Sequence, residues 1–359
     1  MKLKTACRML LGVAALATLP LAPALAQKPA ASVGVPLLLC PWGCGPTESD
    51  TILMNQMIKQ GSPVTLLPQE TPGYMFNIRE MANERHWKKT LFSTEDVIIQ
   101  LALKWGGTPE LKEFLPERVP IRFKLLYGET WWAQGKFFVT FDPSLKSPAD
   151  FKGKRIAIGL RGQSDWGVFS RLMLEYGYGI TPQNADIRHL TPAALTQQLL
   201  DGSVDVAITA FGTEPGFSEI LISPPLRQLE AAPKALRYIS VSKEAIDKVN
   251  AKFGTTFLHV VLPAGKLPKQ TEPLSLGVNR GFKAAHAEFP EEVAYQIVLA
   301  VARDAPKMKE MHALWKIWSP ELMLHGLSEE NVHPGAKRAF VELGWWDRVK
   351  KYPAVTYPQ

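Results

Sequence analysis

Residues 154–210 read KRIAIGLRGQSDWGVFSRLMLEYGYGITPQNADIRHLTPAALTQQLLDGSVDVAITA and decide the fold. Short apolar stretches, typical of buried strands, alternate here with stretches in which apolar residues recur every three or four positions, as in helices. Strands are predicted at 155–159, 186–190 and 204–209. Ser164 is a predicted N-cap, and Thr191-Pro192 opens a second helix with a hydroxyl cap and a proline. The resulting β-α-β-α-β unit builds a parallel sheet.

The same order of elements begins near residue 33. A strand is predicted at 33–39, and Thr47-Glu48-Ser49-Asp50 has the form of a capping box at the start of a helix. A second strand at 64–67 leads into a loop and a helix from about Asn77. The chain is therefore predicted to contain two doubly wound α/β halves. Ligands bind beyond the carboxyl ends of parallel strands, so two facing halves form a ligand cleft.

We expect the two halves to be separate lobes joined by a strand hinge. Residues 123–139 form an extended pair of strands that crosses from the first lobe to the second, and the return is placed near 273–278. Lobe 1 is then discontinuous and includes C-terminal helices, with residues 27–132 and 273–359. Lobe 2 comprises residues 133–272.

The N-terminus has the pattern of a secretory signal peptide. Lys2, Lys4 and Arg8 precede an apolar stretch that ends in Ala24-Leu25-Ala26, which predicts cleavage after Ala26 and a periplasmic protein. An uncleaved membrane anchor is the alternative, but a span needs about 20 apolar residues, and Pro20 and Pro23 interrupt this one. Cleavage leaves 333 residues with 38 basic and 34 acidic side chains. This small excess, without a basic stripe, argues against nucleic acid as a partner.

Only Cys40 and Cys44 remain after cleavage. In an oxidising compartment this pair predicts a disulfide, although two free thiols are also possible. A metal site is disfavoured because none of the seven histidines lies at ligand spacing from another or from the cysteines. We expect no cofactor and a monomer.

Three segments of the sequence carry a family resemblance. They are LKSPADFKGKRIAIG at 145–159, LLDGSVDVA at 199–207, and HPGA at 333–336 followed by Arg338, Phe340, Glu342 and Gly344. These segments resemble the TAXI family of extracytoplasmic receptors that serve TRAP transporters. The resemblance implies a type II periplasmic binding protein that closes on a ligand, often an amino or dicarboxylic acid, without catalysis. Transport would then use a separate TRAP-type membrane permease and an ion gradient.

The resemblance, together with the positions of the strand ends, predicts four pocket loops. They begin after the strands that end near residues 39, 67, 159 and 209. The site residues predicted in and beside them are Trp42, Gly43, Thr47, Thr71, Gly73, Tyr74, Asn77, Tyr127, Arg161, Gly162, Gln163, Ser164, Phe211, Gly212 and Glu214.

Arg161 is the predicted anchor for a carboxylate because a guanidinium binds such a group in a bidentate manner. A solvated loop arginine is the alternative, and pairing with Asp165 would suit a zwitterion or a polyol instead. Aromatic residues near the loops favour a ligand larger and less polar than glutamate. They are Trp42, Tyr74, Tyr127, Trp131, Trp132, Trp166 and Phe211.

No nucleophile elbow, phosphate loop or metal motif is present, so an enzyme is not expected. A small, anionic and aromatic or amino-acid-like organic molecule is the predicted ligand. The alternatives are the receptor of an ATP-driven (ABC) importer, a periplasmic sensor of the same fold and a periplasmic enzyme. Genomic neighbours distinguish the first of these from a TRAP receptor, because the two systems use different membrane subunits.

Overall fold

The computed structural model describes residues 32–42, 44–120, 122–129, 133–214, 216–351 and 355. Within these residues the strands form two separate sheets, and both contain parallel strands connected by helices. The predicted α/β fold with two doubly wound units is therefore confirmed. The predicted signal peptide lies outside the described residues, as do Gly43, Trp131 and Trp132.

The first sheet has the strand order β2-β1-β3-β13-β4. Its strands are β1 (Val33–Leu38), β2 (Val64–Gln69), β3 (Leu91–Glu95), β4 (Phe123–Gly128) and β13 (Gly281–His286). β1 is parallel to β2 and β3, whereas β13 is antiparallel to β3 and β4. The carboxyl ends of β1, β2 and β3 therefore lie at one edge of this sheet.

The second sheet contains the order β11-β12-β5-β8-β6-β7, with β9 and β10 beside it. Its strands are β5 (Ala133–Thr140), β6 (Arg155–Gly159), β7 (Asp186–Leu190), β8 (Val206–Thr213), β9 (Ile220–Ile222), β10 (Arg237–Ile239), β11 (Leu258–Leu262) and β12 (Leu274–Asn279). β6 is parallel to β7 and β8, as the β-α-β-α-β pattern predicted.

The chain changes sheet twice among the described residues. β4 belongs to the first sheet and β5 to the second, while the return falls between β12 and β13. β12 pairs with β5 and β11, so the return lies later in the sequence than the predicted position near 273–278. The division into two lobes at residues 132 and 273 remains a prediction.

The described α-helices vary from single turns to one of 21 residues. They are α1 (Gly45–Lys59), α2 (Tyr74–Glu80), α3 (Asp96–Lys104), α4 (Ser170–Leu172), α5 (Pro192–Asp201), α6 (Pro224–Glu230), α7 (Lys243–Phe253), α8 (Glu291–Met311), α9 (Pro320–Leu324) and α10 (Pro334–Glu342). Among the described residues, no helix combines the length and apolar character needed to cross a membrane.

Two predicted helix caps are wrong, and α2 begins at Tyr74, before the predicted position near Asn77. α1 begins at Gly45 rather than at the predicted capping box, because Pro46 occupies the first turn and Cys44 is the N-cap. Ser164 is the first residue of a π-helical turn at Ser164–Phe169, with Gln163 as its N-cap. A second π-helical turn at Met173–Gly177 follows α4. The predicted start of α5 is correct, since the Thr191 hydroxyl accepts a hydrogen bond from the N–H of Ala194.

Candidate ligand-binding cleft

The loops that follow β2 and β6 meet backbone to backbone. The N–H of Met75 donates to the carbonyl of Gly162 at 3.2 Å. Gly73 has a φ of +132°, and a Cβ atom on it would lie 2.4 Å from the Gly162 oxygen. A Cβ atom on Gly162 would in turn lie 2.6 Å from the oxygen of Pro72. The two predicted glycines thus permit this close approach between a loop of each sheet.

Two adjoining cavities lie beside this contact. The narrow cavity has a volume of about 130 Å³ and is lined by Cys40, Cys44, Gly45, Pro46, Gly73, Tyr74, Glu95, Gln163, Ser164, Asp165, Trp166, Pro192, Ser223, Pro224 and Pro225. The large cavity has a volume of about 720 Å³. Its lining includes Gly45, Pro46, Glu48, Trp166, Phe211, Gly212, Glu219, Ile220, Leu221, Ile222, Pro224, Arg227, His312, Leu314 and Lys316.

The loop after β1 is closed by a disulfide between Cys40 and Cys44. Thr47 donates a hydrogen bond from its hydroxyl to the carbonyl of Cys40 at 2.8 Å and is buried. Thr47 therefore supports the disulfide loop and lines neither cavity. Trp42 is 63% exposed, and its N–H donates to Oε1 of Glu70 at 2.6 Å. The disulfide thus forms part of the cleft wall.

Two predicted residues of the second loop stabilise the backbone around the cleft. The Thr71 hydroxyl lies 2.8 Å from the carbonyl oxygen of Leu39 and 2.7 Å from Oδ1 of Asn77. The side-chain nitrogen of Asn77 lies 2.6 Å from the Leu39 oxygen and 3.1 Å from the Ser93 oxygen. These contacts join the end of β1 and the middle of β3 to α2. Neither Thr71 nor Asn77 lines the two cavities.

Tyr74 lies in the wall of the narrow cavity. Its side chain is buried, with 7% of the residue exposed, and no described residue forms a hydrogen bond with its hydroxyl. Burial, followed by the charges of Glu129 and Glu95, raises the pKa of Tyr74 well above its usual value. The hydroxyl is therefore protonated and available as a partner for a polar ligand group.

Arg161 does not occupy the position that the sequence predicted. Its Nε atom lies 3.0 Å from Oε2 of Glu113, its side chain is 54% exposed, and it lines neither cavity. The neighbouring Gln163 does line the narrow cavity, while its Oε1 accepts a hydrogen bond from the N–H of Leu160 at 2.9 Å. Gln163 and Ser164 are thus the predicted polar residues of this loop that reach the cleft.

A group of buried charged residues lies next to the narrow cavity. Glu95 is the last residue of β3, and both Glu95 and Asp165 line the narrow cavity. Lys136 on β5 is fully buried beside these two residues. Burial raises the pKa of Glu95 to about 7, although the charge of Lys136 and hydrogen bonds from Ser164 and Asn279 act in the opposite direction. Burial also lowers the pKa of Lys136. These residues connect both sheets to the cleft.

Of the three site residues predicted after β8, two line a cavity and one does not. Phe211 and Gly212 line the large cavity. Glu214 instead accepts hydrogen bonds from its own loop, from the N–H of Gly216 at 2.5 Å and from that of Ser218. Burial of Glu214 opposes ionisation, but these backbone hydrogen bonds hold its pKa below the usual range. Glu214 therefore shapes the loop and lines neither cavity.

Tyr127 lies behind the cleft, in a second buried group of charges. Lys283 places its Nζ atom 2.8 Å from both Asp50 Oδ2 and Glu129 Oε1. The Tyr127 hydroxyl is buried, has no hydrogen-bond partner among the described residues and lies near these carboxylates. Tyr127 lines neither cavity, and its contact with a ligand stays a prediction.

Several cavity residues were not among the predicted site residues. Glu95 is the clearest case, since it stands at the carboxyl end of a parallel strand, where such sites are expected. The starts of α1, α5 and α6 contribute Pro46, Pro192, Pro224 and Pro225. A search for helix starts marked by proline would have located these positions.

The structure is similar to three solved proteins at low sequence identity. MatC from Rhodopseudomonas palustris, solved with bound malate, is 14% identical, with a TM-score of 0.48 and coverage of 88% of this chain and 98% of MatC. The alkanesulfonate-binding protein SsuA from Xanthomonas axonopodis pv. citri, bound to MOPS, is 13% identical, with a TM-score of 0.41 and coverage of 89% and 95%. The periplasmic aliphatic sulphonate binding protein SsuA from Escherichia coli is 13% identical, with a TM-score of 0.36 and coverage of 90% and 80%.

A protein-family model gives a more direct assignment. The model described as the NMT1-like family matches residues 129–344, which is more than half of the 359 residues. The matched segment includes the whole second sheet, the return to the first sheet and the segment His333-Pro334-Gly335-Ala336. The chain therefore belongs to the NMT1-like family.

Proposed function

We propose that this protein is an extracytoplasmic solute-binding receptor that captures a small organic molecule for uptake. One observation carries the proposal: both cavities are lined by loops from both sheets. Gly45, Pro46 and Leu314 lie on the side of the first sheet, whereas Trp166 and Phe211 belong to the second. A molecule in this position contacts both halves of the protein and stabilises the arrangement in which they are close.

The size of the site agrees with a small-molecule ligand. Pockets for such ligands commonly have volumes of about 300–1,000 Å³, with mostly apolar walls and a few polar groups. The large cavity, of about 720 Å³, is lined by the apolar Phe211, Ile220 and Leu314 and by a few charged residues. The sequence prediction of an anionic ligand rested in part on Arg161, which lies outside both cavities, so we infer the charge of the ligand from the lining itself.

We assign the protein to a TRAP-type system because of the sequence resemblance to TAXI receptors. The partner is then a membrane permease driven by an ion gradient. An ABC importer is the alternative, and the two are separated by reconstituting this receptor and its permease in vesicles. Uptake that follows an imposed ion gradient without ATP supports the TRAP assignment, whereas uptake that requires ATP contradicts it.

The proposed compartment is the periplasm, reached after cleavage behind Ala26. Expression of the full chain in a Gram-negative host, followed by N-terminal sequencing of the periplasmic fraction, tests this assignment. A mature chain that begins at Gln27 is expected. A chain that keeps residues 1–26 and sediments with membranes would contradict it.

A compound screen tests the receptor function directly. The mature protein is heated with members of a library of organic acids, amines, amino acids and sugars, and the melting temperature is recorded. A binding ligand at 100 times its Kd raises the free energy of unfolding by about 2.7 kcal/mol. Small-angle scattering then measures compaction on binding. A library in which no class of compound gives either response contradicts the proposal.

A further inference from the structure

The narrow cavity has acidic but no basic side chains in its described lining. Glu95 and Asp165 line it, and Arg161, the basic residue in the adjacent loop, points to Glu113 instead. The charge of Lys136 acts on Glu95, and Lys136 is fully buried rather than part of the wall. Burial raises the pKa of Glu95 to about 7 in the free protein, and a cationic ligand group beside Glu95 and Asp165 would favour the ionised carboxylate.

Prolines reduce the number of N–H groups that three helix starts around this cavity offer to an anion. Anions bind to helix N-termini through free backbone N–H groups. Here α1, α5 and α6 begin with proline in the first two positions, at Pro46, Pro192 and Pro224-Pro225, and all four line the cavity. Proline has no N–H to donate. These four positions therefore offer no N–H group to a carboxylate or a sulfonate.

The Tyr74 hydroxyl is a second, independent indication of a ligand. Tyr74 is 7% exposed and lies in the wall of the narrow cavity, its hydroxyl remains protonated, and no described residue forms a hydrogen bond with it. A polar ligand group in the cavity would supply the missing partner. Its oxygen accepts hydrogen bonds, which an ammonium group donates.

The large cavity continues from the narrow one, since Gly45, Pro46, Trp166, Ser223 and Pro224 line both. Its wall adds an apolar surface made of Phe211, Leu221, Ile220, Ile222 and Leu314. The acidic Glu48 and Glu219 are balanced by the basic Arg227 and Lys316. This chamber favours an apolar body rather than a second charge of either sign.

We propose that the ligand is an organic cation, with one ammonium group between Glu95, Asp165 and Tyr74 and an apolar body in the large cavity. This inference rests on the proposed receptor function and specifies the class of its ligand. It replaces the carboxylate predicted from the sequence. Recognition combines charge-assisted hydrogen bonds at the narrow end with burial of apolar area in the chamber.

Matched small molecules test the charge of the ligand. Isothermal titration compares 2-phenylethylamine and hexylamine with 3-phenylpropanoate and heptanoate as anions, and with 2-phenylethanol and hexanol as neutral isosteres. We expect at least one amine to bind about ten-fold or more tightly than both of its isosteres, since hydrogen bonds to charged groups are the stronger ones. Equal or tighter binding of the anion, or no binding of either amine, overturns the inference.

Variants test the positions of the charged groups. Asp165→Asn is nearly isosteric and is expected to weaken amine binding about ten-fold while leaving the affinity for the neutral isostere unchanged. Tyr74→Phe should weaken amine binding by a smaller factor. The control Asp247→Asn changes an exposed carboxylate on α7, paired with Lys243, and should change neither affinity. Equal loss of amine and alcohol binding in Asp165→Asn would show a merely structural role and contradict the assignment.

The two proposals fail in different ways. If the compound screen finds an anionic or neutral ligand that compacts the protein, the receptor function stands and the organic cation is wrong. If no compound of any class binds, the receptor function itself fails. Melting temperatures of the free variants show in each case whether the comparison is made on folded protein.

Discussion

Arg280 and Asp96 form a buried ion pair where the chain passes from the second sheet to the first. Nε of Arg280 lies 3.0 Å from Oδ2 of Asp96, and the side chains are 4% and 0% exposed. The backbone joins the same two residues, since the N–H of Asp96 donates to the carbonyl of Arg280 at 3.1 Å. The return between β12 and β13 is thus fixed to the start of α3.

Removal of the Asp96 charge should destabilise the protein strongly. Asp96→Asn leaves the Arg280 guanidinium buried without its carboxylate, and loss of one partner of a buried pair costs about 3–5 kcal/mol. Urea unfolding measures the change. Asp247→Asn, in an exposed pair with Lys243, should cost less than about 1 kcal/mol. Similar losses in both variants would contradict the role given to the buried pair.

The contact between the two loops should not tolerate a side chain at Gly73. Gly73→Ala combines a φ of +132° with a Cβ atom 2.4 Å from the Gly162 oxygen, so the loops must separate. Gly153→Ala is the matched control, because its φ is +73° and no atom lies within 4 Å of a built Cβ. The control should cost about 1–2 kcal/mol for the left-handed backbone alone. Thermal unfolding should show a larger decrease in melting temperature for Gly73→Ala than for Gly153→Ala. Equal decreases in the two variants would exclude a tight contact at Gly73.

His325 should make the protein less stable in acid. Burial, followed by the charge of Arg280, lowers the pKa of His325 from 6.5 to about 3. The unfolded chain therefore takes up a proton near pH 6.5 that the native protein does not accept until about pH 3. The free energy of unfolding should decrease as the pH falls through this window.

The variant His325→Leu should lose part of this pH dependence. Neither ring nitrogen of His325 has a hydrogen-bond partner among the described residues, so the substitution leaves no new unsatisfied group. Urea denaturation at intervals between pH 7 and pH 4 gives the slope of the free energy of unfolding against pH. His259→Gln, at a half-buried position on β11, is the control and should retain it. An unchanged slope in His325→Leu would mean that other groups cause the acid sensitivity.

Glu95 should have the opposite effect in the free protein. Its pKa rises from 4.5 to about 7 because of burial and the nearby Asp165, against the charge of Lys136. The native protein therefore holds a proton that the unfolded chain has lost, and the free energy of unfolding should decrease as the pH rises from 4.5 to 7. Glu95→Gln removes this decrease, so it should stabilise the free protein more at pH 8 than at pH 5. Equal effects at both values would contradict a raised pKa.

Reduction of the Cys40–Cys44 disulfide should affect the cleft more than global stability. The disulfide closes a loop of only five residues, so chain entropy contributes about 2 kcal/mol to the free energy of unfolding. Both cysteines line the narrow cavity, so the double variant Cys40→Ser/Cys44→Ser should weaken ligand binding while the protein remains folded. Titration of the screened ligand and a melting curve measure the two effects. Unchanged affinity would show that the loop does not need the covalent bond.

Local patterns predicted much of the fold. The strand of β6 is a short apolar stretch, and the Thr191-Pro192 start of α5 is a local signal that the structure reproduces. The start of α1 was predicted incorrectly because Thr47 uses its hydroxyl for the Cys40 carbonyl and not for a helix cap. That choice depends on a disulfide loop whose shape the spacing of residues does not specify.

The candidate site was less accessible to prediction because its charges are placed by long-range contacts. Arg161 meets Glu113, which is 48 residues away in the sequence. Glu95 and Lys136 come from different sheets, so no local pattern places them together. The loops that contain Gly73 and Gly162 were located correctly from the ends of the strands. The close contact between these two loops could not be predicted from the sequence.

The prolines at the starts of α1, α5 and α6 also have a consequence for how the site is filled. A proline ring fixes φ, so these wall segments have few alternative conformations to lose when a guest molecule enters. The entropy that binding sites with flexible loops lose on ordering is correspondingly small here. A rigid rim of this kind favours fast discrimination by shape, because molecules that do not fit cannot be accommodated by rearranging the wall.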